Sequence, residues 1–156
     1  MTSRRRLAAL AAGAVMTIGA AACGGETATN SGAVIEVTDA VVAEPAGAHT
    51  AAYLSITNRG SASDQLVEVR SDAGERIELH ETQAGDDGLM RMVEQPSIAI
   101  PARSTVELVP GGLHVMIFDT RPLAADDIVT LELEFERVGT VEVEARVRPY
   151  SETFDD

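Results

Sequence analysis

Five residues between positions 80 and 116 carry most of the chemistry this chain could do: His80, Met90, Met92, His114 and Met116. Beyond the N-terminal segment, His49 is the only other histidine and there is no other methionine. Imidazole nitrogen and thioether sulfur are neutral donors. Together they suit Cu(I) far better than the hard cations, which need oxygen. Zinc would ask for more His, Cys or carboxylate and gains little from Met. A thioether needs no deprotonation, so only histidine protonation would make such a site pH-sensitive. The competing reading is structural. Methionine in a strand commonly fills a core, and a buried histidine commonly satisfies a hydrogen bond. Residue types alone leave both readings open.

The elements around these residues decide what can meet. In "LHVMIFD" (113–119) a period of two puts His114 and Met116 on one face. Leu113, Val115 and Ile117 fall on the other face, toward a core, and Gly111 and Gly112 let the chain turn tightly into the strand. Phe118 lands on the His/Met side without an assigned role. "RIELHETQAGDDGLMRMVE" (76–94) reads as a hairpin with Gly85-Asp86-Asp87-Gly88 at its tip. That folding sets His80 opposite Met92 or Val93, with Met90 and Met92 on one face. If the strand at 113–119 packs near this hairpin, two imidazoles and two thioethers could converge.

The rest of the chain reads as β. Short apolar or alternating runs at 33–42, 50–58, 65–71, 76–81, 89–94, 104–110, 113–119, 128–136 and 140–148 predict about nine strands. Leu131, Leu133 and Phe135, with Val141, Val143 and Ala145, predict a half-buried antiparallel pair whose glutamates form a solvated face. Many short strands at close spacing imply a sandwich or barrel. Asn58-Arg59-Gly60-Ser61 reads as a turn, and Asp64 as a residue that fixes one. His49 is expected on the surface or in a loop, outside the cluster.

The N-terminus carries Arg4, Arg5 and Arg6, then an apolar run from Leu7 to Ala22 that ends at the sole cysteine, Cys23. The run is short for a membrane span and has the flanks of an export signal. Its end resembles a lipobox, with Ala20 where leucine is more usual, so Cys23 is the expected lipidation site. The predicted layout is a signal peptide at 1–22, a flexible tether at 23–32, one domain at 33–150 and an acidic tail at 151–156. The formal charge is −13, becoming −16 once the three signal arginines are removed. That balance argues against nucleic acid or a polybasic membrane contact. With no cysteine left in the domain, internal disulfides and a thiolate copper site of the electron-transfer type are excluded. No nucleophile–base motif points to an enzyme; Ser55 or Ser104 with His80 lacks any supporting pattern.

The order His80, Met92, His114, Met116, spaced His-x(11)-Met-x(21)-His-x-Met, resembles the pattern of the PCuAC family of periplasmic copper chaperones. The segments "AAYLSITN" (51–58), "IELHET" (77–82), "GLMRMV" (88–93), "IPARSTVELVPGGLHVM" (100–116) and "VTLELEF" (129–135) agree. The resemblance spans about 45–148. Glu81 stands where the family often has a second Met. The resemblance implies an all-β, cupredoxin-like β-sandwich or Greek-key barrel. It implies one Cu(I) ion held by His80, Met92, His114 and Met116, with Met90 beside them or in the core. It further implies a non-enzymatic carrier; with the lipobox-like end at Cys23, the expected location is a lipid anchor on the outer face of the cytoplasmic membrane. Copper would pass to or from a Sco-type thioredoxin-like protein or cytochrome c oxidase subunit II, for assembly of the CuA site. A scavenging or buffering lipoprotein, and an envelope interaction module without metal, are the alternatives.

Overall fold

The computed structural model describes residues 32–149 and Ser151. The expected signal segment and Cys23 lie outside the described residues. Ten strands follow in order: β1 (Ile35–Ala43), β2 (His49–Asn58), β3 (Asp64–Ser71), β4 (Gly74–Ala84), β5 (Met90–Glu94), β6 (Ile98–Ile100), β7 (Ser104–Leu108), β8 (Leu113–Thr120), β9 (Ile128–Phe135) and β10 (Gly139–Arg148). No α-helix occurs among the described residues.

All ten strands join one open sheet in the order β5-β4-β8-β2-β1-β10-β9-β3-β6, with β7 also on β2. The sheet closes over a single core. Leu54 and Ile56 of β2, Leu66 of β3, Val115 and Ile117 of β8, and Leu131, Leu133 and Phe135 of β9 are all buried in it. This is the all-β, cupredoxin-like architecture that the strand pattern and resemblance led us to expect.

One strand more than expected is present. β6 has only three residues, too few to show alternation, and lies between Pro96 and Pro101. It pairs with the edge of β3 and sends Ile98 and Ile100 into the core. In β3 the register shifts between Leu66 and Glu68, so Leu66 and Val69 both point inward while Val67 is exposed. A β-bulge of this kind explains why "QLVEVRS" does not alternate cleanly. β9 and β10 pair as expected, Leu133 facing Val141 and Leu131 facing Val143. Their glutamates are less idle than a solvated face suggests, because Arg70 bridges Glu68, Glu132 and Glu134.

β7 and β8 run in the same direction along one edge of β2. Leu108 faces Leu54 and Val115 faces Ala52, so two steps along β2 match seven along the other strand. The surplus forms an outward excursion at 109–112, closed by Val109 N–H donating to the Leu113 carbonyl at 2.8 Å. Gly111 adopts φ 78° there, a conformation that a side chain would strain.

Asp64 fixes a turn distant from it in sequence. Its buried carboxylate accepts N–H donors from Gln65 at 2.8 Å, Arg137 at 2.9 Å and Val138 at 3.0 Å, clamping the β9–β10 connection. Asp64→Ala leaves these donors without a partner. It is expected to lower unfolding free energy by about 2–4 kcal/mol, read from urea denaturation. Asp64→Asn keeps an acceptor and is expected to lose less.

Candidate metal centre

The ladder between β4 and β8 sets His80 directly opposite His114, Glu78 opposite Met116, and Arg76 opposite Phe118. On its other side β8 faces β2, with Met116 opposite Ala51 and Phe118 opposite His49. The face away from the core therefore carries His114, Met116 and Phe118 in a row, flanked by Arg76, Glu78 and His80. Val115 and Ile117 point inward and are fully buried. Alternation in the sequence anticipated this division of β8.

The β4–β5 hairpin turns at 85–88, with Gly85 N–H donating to the Leu89 carbonyl at 2.8 Å. Its register differs from expectation by two positions if His80 is matched to Met92, and by one if matched to Val93. Glu94 lies opposite His80, and Met92 opposite Thr82. Because side chains alternate with period two, Met92, two residues from Glu94, stays on His80's face as a diagonal neighbour. Met92 is 60% exposed and Met90 62% exposed. Neither fills a core, so the core role considered for Met90 is incorrect. It sits opposite Ala84, two residues nearer the hairpin tip than Met92. Glu81 leaves β4 on the opposite face from His80 and accepts a hydrogen bond from Gln83 Nε2 at 2.6 Å.

The two imidazoles are recessed, His80 at 9% and His114 at 3% exposure. Their ring centroids are 5.8 Å apart. Each ring is held by one nitrogen. His114 Nδ1 lies 3.0 Å from the Gly112 carbonyl. That oxygen can only accept, so Nδ1 carries the proton and Nε2 keeps its lone pair. His80 Nε2 lies 2.8 Å from Glu78 Oε2. The carboxylate assigns the proton to Nε2 and leaves Nδ1 with the lone pair. Burial, reinforced by His80 nearby, pushes the His114 pKa below the ordinary imidazole value, against the pull of Gly112. The His80 hydrogen bond, helped by Arg76, holds the Glu78 carboxyl below its ordinary value despite partial burial.

The remaining nitrogens, His80 Nδ1 and His114 Nε2, are buried and have no hydrogen-bond partner. A buried polar atom without a partner costs roughly 1–3 kcal/mol. Two on opposed residues are a deficit that a metal ion would remove. Carboxylate behind His80 and carbonyl behind His114 are the outer partners that orient metal-binding imidazoles. No group of three or more His, Cys, Asp or Glu side chains placed for a metal occurs among the described residues. A metal here would therefore depend on the thioethers. The donor set fits Cu(I) and does not fit a hard cation.

Aromatic rings border the pair. Tyr53 of β2 stands 6.4 Å from the His114 ring. Phe118 lies 6.2 Å from His80 and 6.5 Å from His49, and the Arg76 guanidinium sits 3.7 Å over its face. His49 is exposed as expected, but it opens β2 and shares this face. Glu78 and Phe118 were within reach of the alternation rule, two residues before His80 and two after Met116. His49 and Tyr53 were not, because only the pairing of β2 with β8 brings them here.

Fold and site together define a PCuAC-type domain. A family model described as "Putative lipoprotein LpqE-like" matches residues 35–147, and the chain belongs to this family. It is 30% identical over 118 residues to "Putative lipoprotein Lxx21020" of Leifsonia xyli subsp. xyli, covering 75% of this chain and 71% of that one. Among solved structures it is similar to the Cu(I) form of DR1885 from Deinococcus radiodurans, with a TM-score of 0.57 and 32% identity over 74% of this chain and 76% of that one. The copper-bound PCuAC domain from PmoF2 gives a TM-score of 0.63 at 23% identity, over 74% of this chain and 92% of that one, a likeness of fold.

Proposed function

We propose that this chain is an extracytoplasmic Cu(I)-binding metallochaperone that takes up one ion per domain and passes it to a partner protein. His80 Nδ1, His114 Nε2 and the sulfurs of Met92 and Met116 are the ligands. The observation that carries the reading is the pair of buried, partnerless imidazole nitrogens on opposed residues. The likeness to a Cu(I)-bearing relative supports the choice of metal.

The arrangement suits transfer. Two imidazoles and the half-buried Met116 hold the ion from within, while Met92 projects from edge strand β5, where all five residues are exposed. An incoming donor atom can replace the Met92 sulfur first, without unfolding the strand pairs that position the histidines. Copper stays Cu(I), and only Cu–N and Cu–S bonds exchange. For localisation, we read Cys23 as the lipidated first residue of the exported protein, anchored to the outer face of the cytoplasmic membrane. The recipient we infer is the CuA centre of cytochrome c oxidase subunit II, alone or with a Sco-type thioredoxin-like protein.

Anaerobic titration against a Cu(I) chelator tests the first part. The expected result is one tightly bound Cu(I) with a mixed nitrogen and sulfur shell by X-ray absorption. Absence of tight binding would overturn it. Incubating the loaded protein with the apo soluble domain of subunit II tests delivery, and copper is expected on the acceptor. If oxidase activity at limiting copper is unchanged in a deletion strain, the role is buffering.

A further inference from the structure

A hollow adjoins the four proposed ligands and shares two of them. It encloses about 220 Å³, is open to solvent on one side, and is walled by His49, Tyr53, Glu44, Met92 and Met116 among others. The register explains how these side chains meet. His49 faces Phe118 and Ala51 faces Met116, so His49 is a diagonal neighbour of Met116 on the same face.

We propose that His49, Met92 and Met116 form a second, alternative Cu(I) seat, which the ion occupies in passing between solvent or partner and the imidazole pair. This rests on the copper reading above. The two seats are separate because His49 lies on β2 and His80 on β4, on either side of β8, whose Phe118 ring is 6.5 Å from His49 and 6.2 Å from His80. They are exclusive because both use the same sulfurs, so the stoichiometry stays at one. One imidazole with two thioethers is again a neutral nitrogen–sulfur set of the kind Cu(I) accepts.

The difference between the seats is access. His80 and His114 are almost fully covered, whereas His49 is exposed and Met92 is 60% exposed. An ion moving inward keeps its two Cu–S bonds. Its bond to His49 breaks, and bonds to His80 Nδ1 and His114 Nε2 form from lone pairs those atoms already hold. No electron is transferred. Outward movement reverses the exchange. The outer seat spares the ion a passage in which the sulfurs alone hold it.

The test is kinetic, because a shared intermediate lowers the barrier in both directions and leaves the end states alone. His49→Gln, His49→Ala and His49→Met are compared with the parent protein, following Cu(I) uptake from and release to a small chelator by stopped flow. His49 is exposed, so the fold tolerates these changes. Gln and Ala are expected to slow uptake and release alike by about tenfold, or about 1.4 kcal/mol on the barrier. Equilibrium affinity should be unchanged. Met, another soft donor, is expected to restore the rates. Unchanged rates in His49→Ala, or rescue by Gln as good as by Met, would overturn the second seat while leaving the four-ligand site intact. Failure of the parent protein to bind Cu(I) would instead sink the reading on which it rests.

Discussion

With leucine in place of both Met92 and Met116, the domain is expected to keep its fold and bind Cu(I) more than about a hundredfold more weakly, beyond the 10–100-fold typical of outer partners. Leucine and methionine have similar volume, and such swaps usually cost under about 1.5 kcal/mol even in a core. Met92 is exposed on an edge strand and Met116 is half-buried on the outer face, so neither packs tightly. What the change removes is two neutral sulfur donors. The two imidazoles that remain can still bind a metal, but they lose the preference for Cu(I) over Zn²⁺ that thioethers confer. Competition titrations with each metal on the same variant check both parts. A variant that keeps its parent's Cu(I) affinity would show that the sulfurs are bystanders.

A second large effect is expected at Glu78, which touches no metal in this arrangement. Its carboxylate accepts the His80 Nε2 proton at 2.8 Å and also pairs with Arg76. Glu78→Leu removes the acceptor and frees His80 to place its proton on Nδ1, the nitrogen that must bind. Cu(I) affinity is expected to fall by about 10–100-fold. Glu78→Gln keeps an oxygen acceptor and should retain most of the affinity. Tautomers are distinguishable by ¹⁵N NMR of the apo protein. The parent is expected to show His80 protonated on Nε2 and the Leu variant a mixture. A Leu variant with unchanged tautomer and affinity would remove Glu78 from the site.

What could be read ahead of the structure was what a period of two encodes. Alternation placed His114 and Met116 together and sent Val115 and Ile117 inward. The glycines at 85 and 88 announced a hairpin, and Leu131, Leu133 and Phe135 announced the β9–β10 pair. Alternation assigns a face but not a neighbour. That β8 lies between β4 and β2, so that His80 meets His114 and His49 meets Phe118, follows from contacts far apart in sequence. The parallel pairing of β1 with β10 is of the same kind. The hairpin register was misjudged by one position or two because tip length, not composition, sets it. For Met90 only the core alternative fails, because β5 is an edge strand with all five residues exposed, which the sequence pattern does not reveal.

The excursion at 109–112 does more than bridge two strands. On β7 the inward residues have even numbers, Val106 and Leu108; on β8 they are odd, Val115 and Ile117. Across the excursion the chain advances five residues beyond what the ladder consumes. That odd surplus exchanges inside for outside. An even surplus would turn His114 and Met116 into the apolar interior and Val115 out to solvent. The loop thus acts as a parity switch. Single insertions or deletions there should be far more damaging than pairs, although no proposed ligand lies within it.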